Sequence, residues 1–259
     1  MIPDQELKSI MDQAVERINQ PSFIPDDPVQ FPHRFSRQED IEIASLLCAH
    51  IAWGNRKMIC RDCNRLLELM DNQPYRFVVE EADRPGMIDP ESNVHRTFFG
   101  RDLLYFIRGL KQLYTQYGTL ENFAVKTGAV NDELPSWKMV EHLNNLMADA
   151  NADQPKSLRC LPDNLKSTPL KRVNMALRWL VRDDGIVDMG VWKALKPSQL
   201  FIPLDVHVAD TSRALNLLSR KSNDRKAVLE LTDALRQFDP ADPIKYDFAL
   251  FGLGIEKSI

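Results

Sequence analysis

The amino-acid sequence predicts an all-α protein. Apolar side chains recur at the three- and four-residue spacing of amphipathic helices over most of the chain, as in Leu103, Phe106 and Leu110. Alternating strand patterns are nearly absent, and residues 76–80 are the one stretch where a short strand is predicted. We therefore expect a single helical module over residues 1–259, with a hydrophobic content of 44% that suits a packed core.

The first elements follow from proline, capping and periodicity signals. A helix is predicted over residues 4–18, followed by an extended proline-rich loop over residues 21–32. Ser36-Arg37-Gln38-Glu39 has the form of a capping box, which predicts a helix start. The helix that follows has apolar residues around much of its circumference, so it should be deeply buried. Gly54 interrupts this pattern, and a further helix is expected over residues 59–70.

The remaining elements are also helical. Residues 151–169 contain three prolines and no helical period, which indicates a loop or hairpin. Asp183-Asp184-Gly185 is predicted to end the helix over residues 171–181. The predicted elements are helices over residues 101–117 (ended by Gly118), 120–126, 137–150 and 171–181, a short turn at 189–192, and helices after Asp205, over 224–238 and over 243–251.

Cysteine content and hydropathy indicate the compartment. The four cysteines, Cys48, Cys60, Cys63 and Cys160, are few and unevenly spaced, and no leading apolar segment suggests export. We therefore expect no disulfide framework and a cytoplasmic location. No apolar run approaches the roughly 20 residues needed to cross a bilayer, so no membrane partner is predicted.

The charge distribution contains one local exception. A formal net charge of −4 argues against broad, non-specific binding of nucleic acids. Residues 156–182, however, carry seven lysines and arginines against one acidic residue, Asp163. This stretch is predicted to form a basic face that contacts an anion.

The common catalytic motifs are missing. Cys60 and Cys63 form a C-x-x-C pair, but it lies inside a predicted helix with no second pair, so ordinary packing is expected. The five histidines lack the spacing of zinc hydrolases. There is no glycine-rich phosphate loop, no nucleophile elbow and no terminal cysteine cluster for an iron–sulfur centre. No metal and no cofactor are predicted.

Two charged residues at predicted helix starts are the candidates for chemistry. Asp205 follows a short apolar run and precedes a helix, so on its own it is expected to act as an N-cap. Lys171 lies in the first turn of a helix, where the macrodipole mildly disfavours a cation. A charge placed against the dipole is a hint of function.

These two segments together resemble a known superfamily. Residues 203–208, Pro-Leu-Asp-Val-His-Val, with Arg213-Ala-Leu-Asn-Leu after them, resemble the P-V-D-T-H-V … R-L-G-L stretch of the helix-hairpin-helix DNA glycosylases. Residues 161–172 are similar to the hairpin L-P-G-V-G-x-K-T-A, with its glycines replaced and extra residues before Lys171. The 34-residue separation of Lys171 and Asp205 is similar to that of the archaeal 8-oxoguanine glycosylase branch, which favours Lys171 over Lys166.

A wider resemblance covers nearly the whole chain. Residues 52–57, 177–182 and 242–248 look like segments of a bacterial family of unknown function. This second resemblance implies no activity.

The glycosylase resemblance implies a fold and a mechanism. The fold would be helix-hairpin-helix glycosylase-like, with two helical lobes, a cleft between them and a catalytic region over about residues 158–218. The protein would be an enzyme of base-excision repair, a DNA N-glycosylase and abasic-site lyase for oxidised purines such as 8-oxoguanine. Asp205 would stabilise the oxocarbenium-like sugar and help to deprotonate the amine. Lys171 would attack the sugar C1′ and form a Schiff base.

The same resemblance implies damaged duplex DNA as the partner. The damaged base must leave the stack, at a cost of a few kcal/mol that stacking and hydrogen bonds offset. Trp53 or Trp179 would provide a stacking face, with core packing as the competing role of each. Trp53, Arg56, Arg172 and His207 are the predicted substrate-binding residues. Backbone amides of residues 161–167 and the basic face would hold phosphates.

Two alternatives remain open. In the first, the chain is a non-catalytic relative that binds nucleic acid or a protein, and Asp205 only caps its helix. In the second, it is a helical enzyme that acts on a small nucleoside-like metabolite, which the acidic net charge would suit.

Overall fold

The structure is mostly helical, as predicted. It is a computed structural model that describes residues 5–81, 86–157 and 159–256. The α-helices are α1 (Gln5–Ile18), α2 (Gln38–His50), α3 (Arg56–Leu69), α4 (Pro74–Arg76), α5 (Gly100–Tyr117), α6 (Leu120–Lys126), α7 (Pro135–Ala150), α8 (Lys171–Val181), α9 (Val206–Ala214), α10 (Arg225–Phe238) and α11 (Tyr246–Glu256). Within the described ranges, no helix is both long and apolar enough to cross a membrane.

The chain divides into two compact units. The terminal unit contains the described residues of 1–24 and 164–259, and the central unit contains those of 25–163. The terminal unit therefore holds α1 and α8 to α11, and the central unit holds α2 to α7. The predicted catalytic region, about residues 158–218, is divided between the units after Asp163.

Helix α2 lies in the core of the central unit, which confirms its predicted burial. Its ten residues from Ile41 to His50 are all buried, including the carboxylate of Glu42. That carboxylate accepts hydrogen bonds from the Tyr114 hydroxyl at 3.1 Å and from the amides of Leu120 at 2.8 Å and Glu121 at 3.1 Å. Burial of a carboxylate is costly unless it accepts hydrogen bonds, as Glu42 does here. Its bonds to the first amides of α6 connect α2 to the start of that helix.

Two predictions near the N-terminus are wrong. Residues 21–32 form no extended loop but lie in successive 3₁₀ helices, Pro21–Asp26, Pro28–Gln30 and Pro32–Arg34, each of which begins with a proline. Proline is pre-organised for the first position of a helical turn, where its missing N–H costs nothing. Further short 3₁₀ helices are Ala129–Asn131, Pro197–Gln199 and Pro243–Lys245.

The predicted capping box at Ser36 does not form. Arg37 occupies the N-cap position of α2 and makes no side-chain cap bond. The Arg37 guanidinium instead donates to the Glu39 carboxylate, with Nε 3.0 Å from Oε2. The glutamate is engaged by this ion pair in place of the bond to the Ser36 backbone that the motif requires.

The predicted strand at residues 76–80 is also wrong. These residues lie in α4 and in a π-helical turn, Phe77–Glu81. Phe77 and Val78 are consecutive and both buried, whereas a half-buried strand alternates its faces. The two strands that the structure describes are β1 (Asn93–His95) and β2 (Phe98–Phe99), which pair in antiparallel fashion.

In the terminal unit, α11 packs against α1 and α9. The Tyr246 hydroxyl at its start donates to Asp12 Oδ1 of α1 at 2.8 Å. Toward its end, Gly254 lies so close to α9 that an added Cβ would be 2.6 Å from Thr211 Oγ1. The apolar helix α11 therefore forms the centre of this unit.

Residues 189–192 do not form the predicted turn. The amides of Met189 and Trp192 donate to the carbonyls of Trp179 at 2.8 Å and Leu180 at 2.9 Å. These carbonyls lie in the last turn of α8, where helix carbonyls have no partner within the helix. These bonds therefore hold the segment against the end of α8.

Candidate functional site

Asp205 is the N-cap of α9, as predicted. Its backbone is extended, and its Oδ1 accepts the amide hydrogen of Val208 at 2.9 Å. The preceding segment is buried, and the Ile202 amide donates to Thr232 Oγ1 at 3.1 Å. A buried segment on one side and a helix on the other therefore hold the half-buried Asp205 carboxylate in place.

Lys171 is the first residue of α8, as predicted. It follows Leu170, a buried residue with a left-handed φ of 52°, which directs the chain from the preceding loop into the helix. The buried Asn174 supports this turn, since its Nδ2 donates to the Pro169 carbonyl at 3.2 Å. Lys171 and the next residue, Arg172, are both half-buried.

A buried carboxyl, Asp247 in the first turn of α11, interacts electrostatically with both Lys171 and Asp205. It is 7% exposed and forms an ion pair with Arg178 of α8. Burial, with Asp205 acting in the same direction, raises the pKa of Asp247 to about 6, although Arg178 and Lys171 lower it. The structure therefore brings Lys171 and Asp205 into the electrostatic surroundings of the same buried carboxyl.

A buried network of charges extends from Asp247 along α8. Arg178 Nε lies 3.2 Å from Asp188 Oδ1, and Arg182 also pairs with Asp188. The Arg182 Nε is 2.9 Å from Asp242 Oδ1, at the edge of the network. Burial raises the pKa of Asp188, although both arginines oppose this shift. Each buried carboxylate here has a guanidinium partner, as buried charges require.

This network corrects the predicted basic face over residues 156–182. Arg178 and Arg182 are 5% and 3% exposed and point into the unit, so they are not available to an external anion. Lys156, in the other unit, is exposed but pairs with Asp163. Two of the seven basic residues of this stretch are therefore held in internal ion pairs, and a third pairs with its one acidic residue.

The remaining predicted site residues lie in two places. His207 follows Asp205 by two positions and is exposed, beside Val206, which is 60% exposed. Trp53 and Arg56 belong to the central unit. Trp179 is fully buried in the terminal unit, which fits core packing.

Trp53 and Arg56 have local partners in the central unit. The half-buried Trp53 ring lies edge-on to His95, with 4.7 Å between ring centroids. Arg56 at the start of α3 lies 4.0 Å from the Asp27 carboxylate. Both residues therefore have local packing or pairing roles that do not need a substrate.

A second titratable cluster in the central unit is buried. His95 Nδ1 lies 2.7 Å from Asp62 Oδ2, and His95 Nε2 lies 2.9 Å from the Trp53 carbonyl oxygen. The carbonyl can only accept, so Nε2 must donate. Burial opposes ionisation of Asp62, but hydrogen bonds from Arg61 and His95 outweigh it and lower the pKa of this carboxyl.

Asp62→Asn is expected to cost about 1.5–3 kcal/mol of unfolding free energy at pH 7, the usual range for hydrogen bonds to charged groups. Because the folded-state pKa of Asp62 is lowered below 3.8, its stabilisation is present above that pH and is lost as the pH falls through the folded-state value. Urea unfolding of both proteins at pH 7 and pH 3 should therefore show a smaller difference at pH 3. Glu133→Gln, at an exposed position, is the control; an equal difference at both pH values would contradict the prediction.

Analysis of the residues in isolation missed Asp247 and Arg178. Both are charged residues within apolar helical stripes, Asp247 between Tyr246 and Phe248 and Arg178 beside Trp179. A charge at a buried helical position is the local signal that could have identified them. Which charges meet could not be read from that signal, since Arg178 and Asp247 are 69 positions apart.

Comparisons with curated proteins and with solved structures found no match. Residues 27–256 match the model of a family described as a protein of unknown function, DUF2400. Because that match covers most of the chain, including all six predicted site residues, the protein belongs to the DUF2400 family.

Proposed function

We propose that this protein is a DNA base-excision glycosylase with abasic-site lyase activity, acting on oxidised purines such as 8-oxoguanine. The proposal includes the helix-hairpin-helix glycosylase-like architecture, with two helical lobes and a cleft. One observation carries it: Lys171 opens α8, whose Arg178 pairs with buried Asp247 of α11, and Asp205 caps α9, which packs against α11. The candidate amine and the candidate carboxylate thus each open a helix that contacts α11.

The chemistry needs both groups in their deprotonated forms, one neutral and one negatively charged. Lys171 must be a neutral amine when its Nζ attacks C1′, and Asp205 must be ionised to stabilise positive charge on the sugar. The Val208 amide holds one oxygen of Asp205, and the other oxygen is assigned to the sugar in this proposal. Attack by Nζ, departure of the base and formation of the Schiff base then lead to strand cleavage.

The substrate-binding residues take the roles that their positions support. Arg172 follows Lys171, and exposed His207 follows Asp205, so both are suited to contact the phosphates beside the extruded nucleotide. Trp53 as a stacking face and Arg56 as a substrate contact stay predictions of the resemblance, and both residues belong to the central unit. Displacing the Trp53 ring from His95 would be part of the cost of base binding.

The test is covalent trapping. The protein is incubated with duplexes that contain 8-oxoguanine, uracil or an abasic site in the presence of borohydride, which reduces a Schiff base to a stable adduct. We expect an adduct with at least one duplex, and binding that weakens steeply as salt is raised. No adduct with any duplex, together with no salt-sensitive binding, would overturn the proposal.

Asp205→Asn separates capping from catalysis. Asparagine is as good an N-cap as aspartate, so α9 should keep its start while the negative charge is lost. We expect base release in single-turnover assays to fall by about 100-fold or more. A variant with wild-type base release would show that Asp205 only caps α9, as in the non-catalytic alternative.

A second candidate is an enzyme that cleaves a small nucleoside. The observation that favours it is the internal pairing of Arg178 and Arg182, which leaves fewer cations for a DNA backbone. The same assay with free nucleosides distinguishes the two functions. Base release from a nucleoside without salt-sensitive duplex binding would favour the small substrate.

A further inference from the structure

Asp247 is a third charged group at the proposed site, and the sequence resemblance assigns it no role. It lies in the first turn of α11, where the helix dipole favours a carboxylate, yet it is almost fully buried. Its charged neighbours are Arg178, Lys171 and Asp205, and Arg178 in turn binds Asp188. Asp247 is thus a buried carboxyl that pairs with the helix of the candidate nucleophile, on a helix that packs against that of the candidate carboxylate, an arrangement suited to proton transfer.

Helix geometry supports this placement from two directions. Lys171 and Arg178 are seven residues apart on α8, two turns or about 10 Å, and so lie on one face. Arg178 binds Asp247, so this face of α8 is turned toward the start of α11. Gly254 is likewise seven residues from Asp247, and its contact with Thr211 shows that this face of α11 lies against α9.

From this juxtaposition we propose that Asp247 accepts the proton of the Lys171 ammonium before the amine attacks the substrate. The inference rests on the proposed function and changes one part of it. Asp205, with one oxygen bonded to the Val208 amide, is then reserved for the sugar cation. In this proposal Asp247 deprotonates Lys171, and Asp205 stabilises the positive charge on the sugar.

The proton balance of the step closes without any further reactant. The Lys171 ammonium gives one proton to the Asp247 carboxylate, and the neutral amine uses its lone pair to form the C1′–N bond. The glycosidic bond breaks, and its electron pair leaves with the base. The base takes up the proton from Asp247, which is then ionised again, and the positive charge remains on the nitrogen bonded to C1′.

The titration of Asp247 suits this role. Burial raises the pKa of Asp247 to about 6, with Asp205 acting in the same direction and with Arg178 and Lys171 opposing it. A general base is most effective when its pKa lies near the working pH, because it is then ionised yet still basic. At neutral pH the group is mostly ionised and ready to accept a proton.

The competing role for Asp247 is purely structural, and Asp188 is the matched control for it. Both carboxyls are buried, both pair with Arg178, and burial raises the pKa of each. The charged groups that act on Asp188 are Arg178, Arg182 and Asp184. A variant at Asp188 therefore disturbs the same network from the side away from the proposed chemistry.

The first experiment needs no DNA. Lys171 is methylated with formaldehyde and a borohydride at a series of pH values, and its labelling is followed by mass spectrometry. Because Lys171 favours ionised Asp247, ionised Asp247 must equally favour charged Lys171. We expect Asp247→Asn to move half-maximal labelling down by about one pH unit and Asp188→Asn to leave it in place. Equal behaviour of the two variants would overturn the proposal.

The second experiment measures base release under single-turnover conditions with the duplex that the protein traps. The wild-type rate should rise with pH through about 6, the pKa of Asp247. Asp247→Asn should lose this rise and slow base release by about 100-fold, although its Lys171 is deprotonated more easily. Asp188→Asn should keep the rise. Retention of both the rise and the rate in Asp247→Asn would overturn the proposal.

Two controls keep the outcomes distinct. Thermal unfolding of Asp247→Asn and Asp188→Asn shows whether loss of one ion pair has similar structural cost in each. A wild-type protein that neither traps any duplex nor shows salt-sensitive binding would overturn the proposed function and the proton transfer with it, whatever the labelling result. Trapping by the wild type with no difference between the variants would overturn the role of Asp247 alone.

Discussion

Replacement of Arg182 by leucine is expected to lower the free energy of unfolding by about 3–5 kcal/mol, the usual cost of removing one partner of a buried ion pair. The Arg182 side chain is 3% exposed and pairs with Asp188, which is fully buried, as well as with Asp184 and Asp242. These carboxylates raise the pKa of Arg182 despite its burial, so the guanidinium is always charged. Without it, Asp188 keeps only Arg178 as a cationic partner.

Urea unfolding at pH 7 measures this effect. Lys138→Met is the control, because the ion pair of Lys138 with Glu141 is solvent-exposed and should contribute at most about 1 kcal/mol. An Arg182→Leu variant as stable as the control would show that the buried network contributes little to the fold. A variant that unfolds with an unchanged urea dependence but a lower midpoint would match the expected loss.

Lys171→Gln is expected to abolish the borohydride-trapped adduct and to reduce base release on the order of 1,000-fold or more, as loss of a covalent nucleophile does in other enzymes. Glutamine is similar in length and keeps a polar end, so the first turn of α8 should be retained. The loss would then be due to the absent amine. Trapping on denaturing gels and single-turnover base release are the measurements.

Lys166→Gln is the matched control for that result. Lys166 lies five residues before Lys171 in the same basic stretch and is exposed. It should therefore lose no more than a small part of DNA binding and keep the adduct. An adduct that persists in Lys171→Gln but disappears in Lys166→Gln would show that Lys166 is the nucleophile. It would overturn the pairing of Lys171 with Asp205.

The helices whose signals are local could be predicted closely. The predicted bounds of the helices over residues 120–126 and 171–181 agree with the structure at both ends. The predicted stop signals are also present, since Gly118 and Gly185 both have left-handed φ values. Helical periodicity and chain-breaking residues act within a few positions, so a single sequence contains all that they need.

The errors arose where a local pattern had more than one solution. Residues 77–79 are apolar and consistent with either a strand or a buried turn, and packing against the core selected the turn. The capping-box residues at 36–39 were present, but an ion pair between Arg37 and Glu39 competed for the glutamate. The clustered prolines at 21–32 were compatible with an extended loop and with successive 3₁₀ turns.

For the candidate site, the sequence by itself determined that Lys171 opens one helix and Asp205 caps another. Tertiary structure decided that both helices contact α11, the helix of Asp247, and that Arg178 and Arg182 point inward and are not part of a basic surface. The physical reason is that caps and periodicity depend on neighbours along the chain. Burial and charge pairing instead depend on residues as far apart as the 69 positions between Arg178 and Asp247.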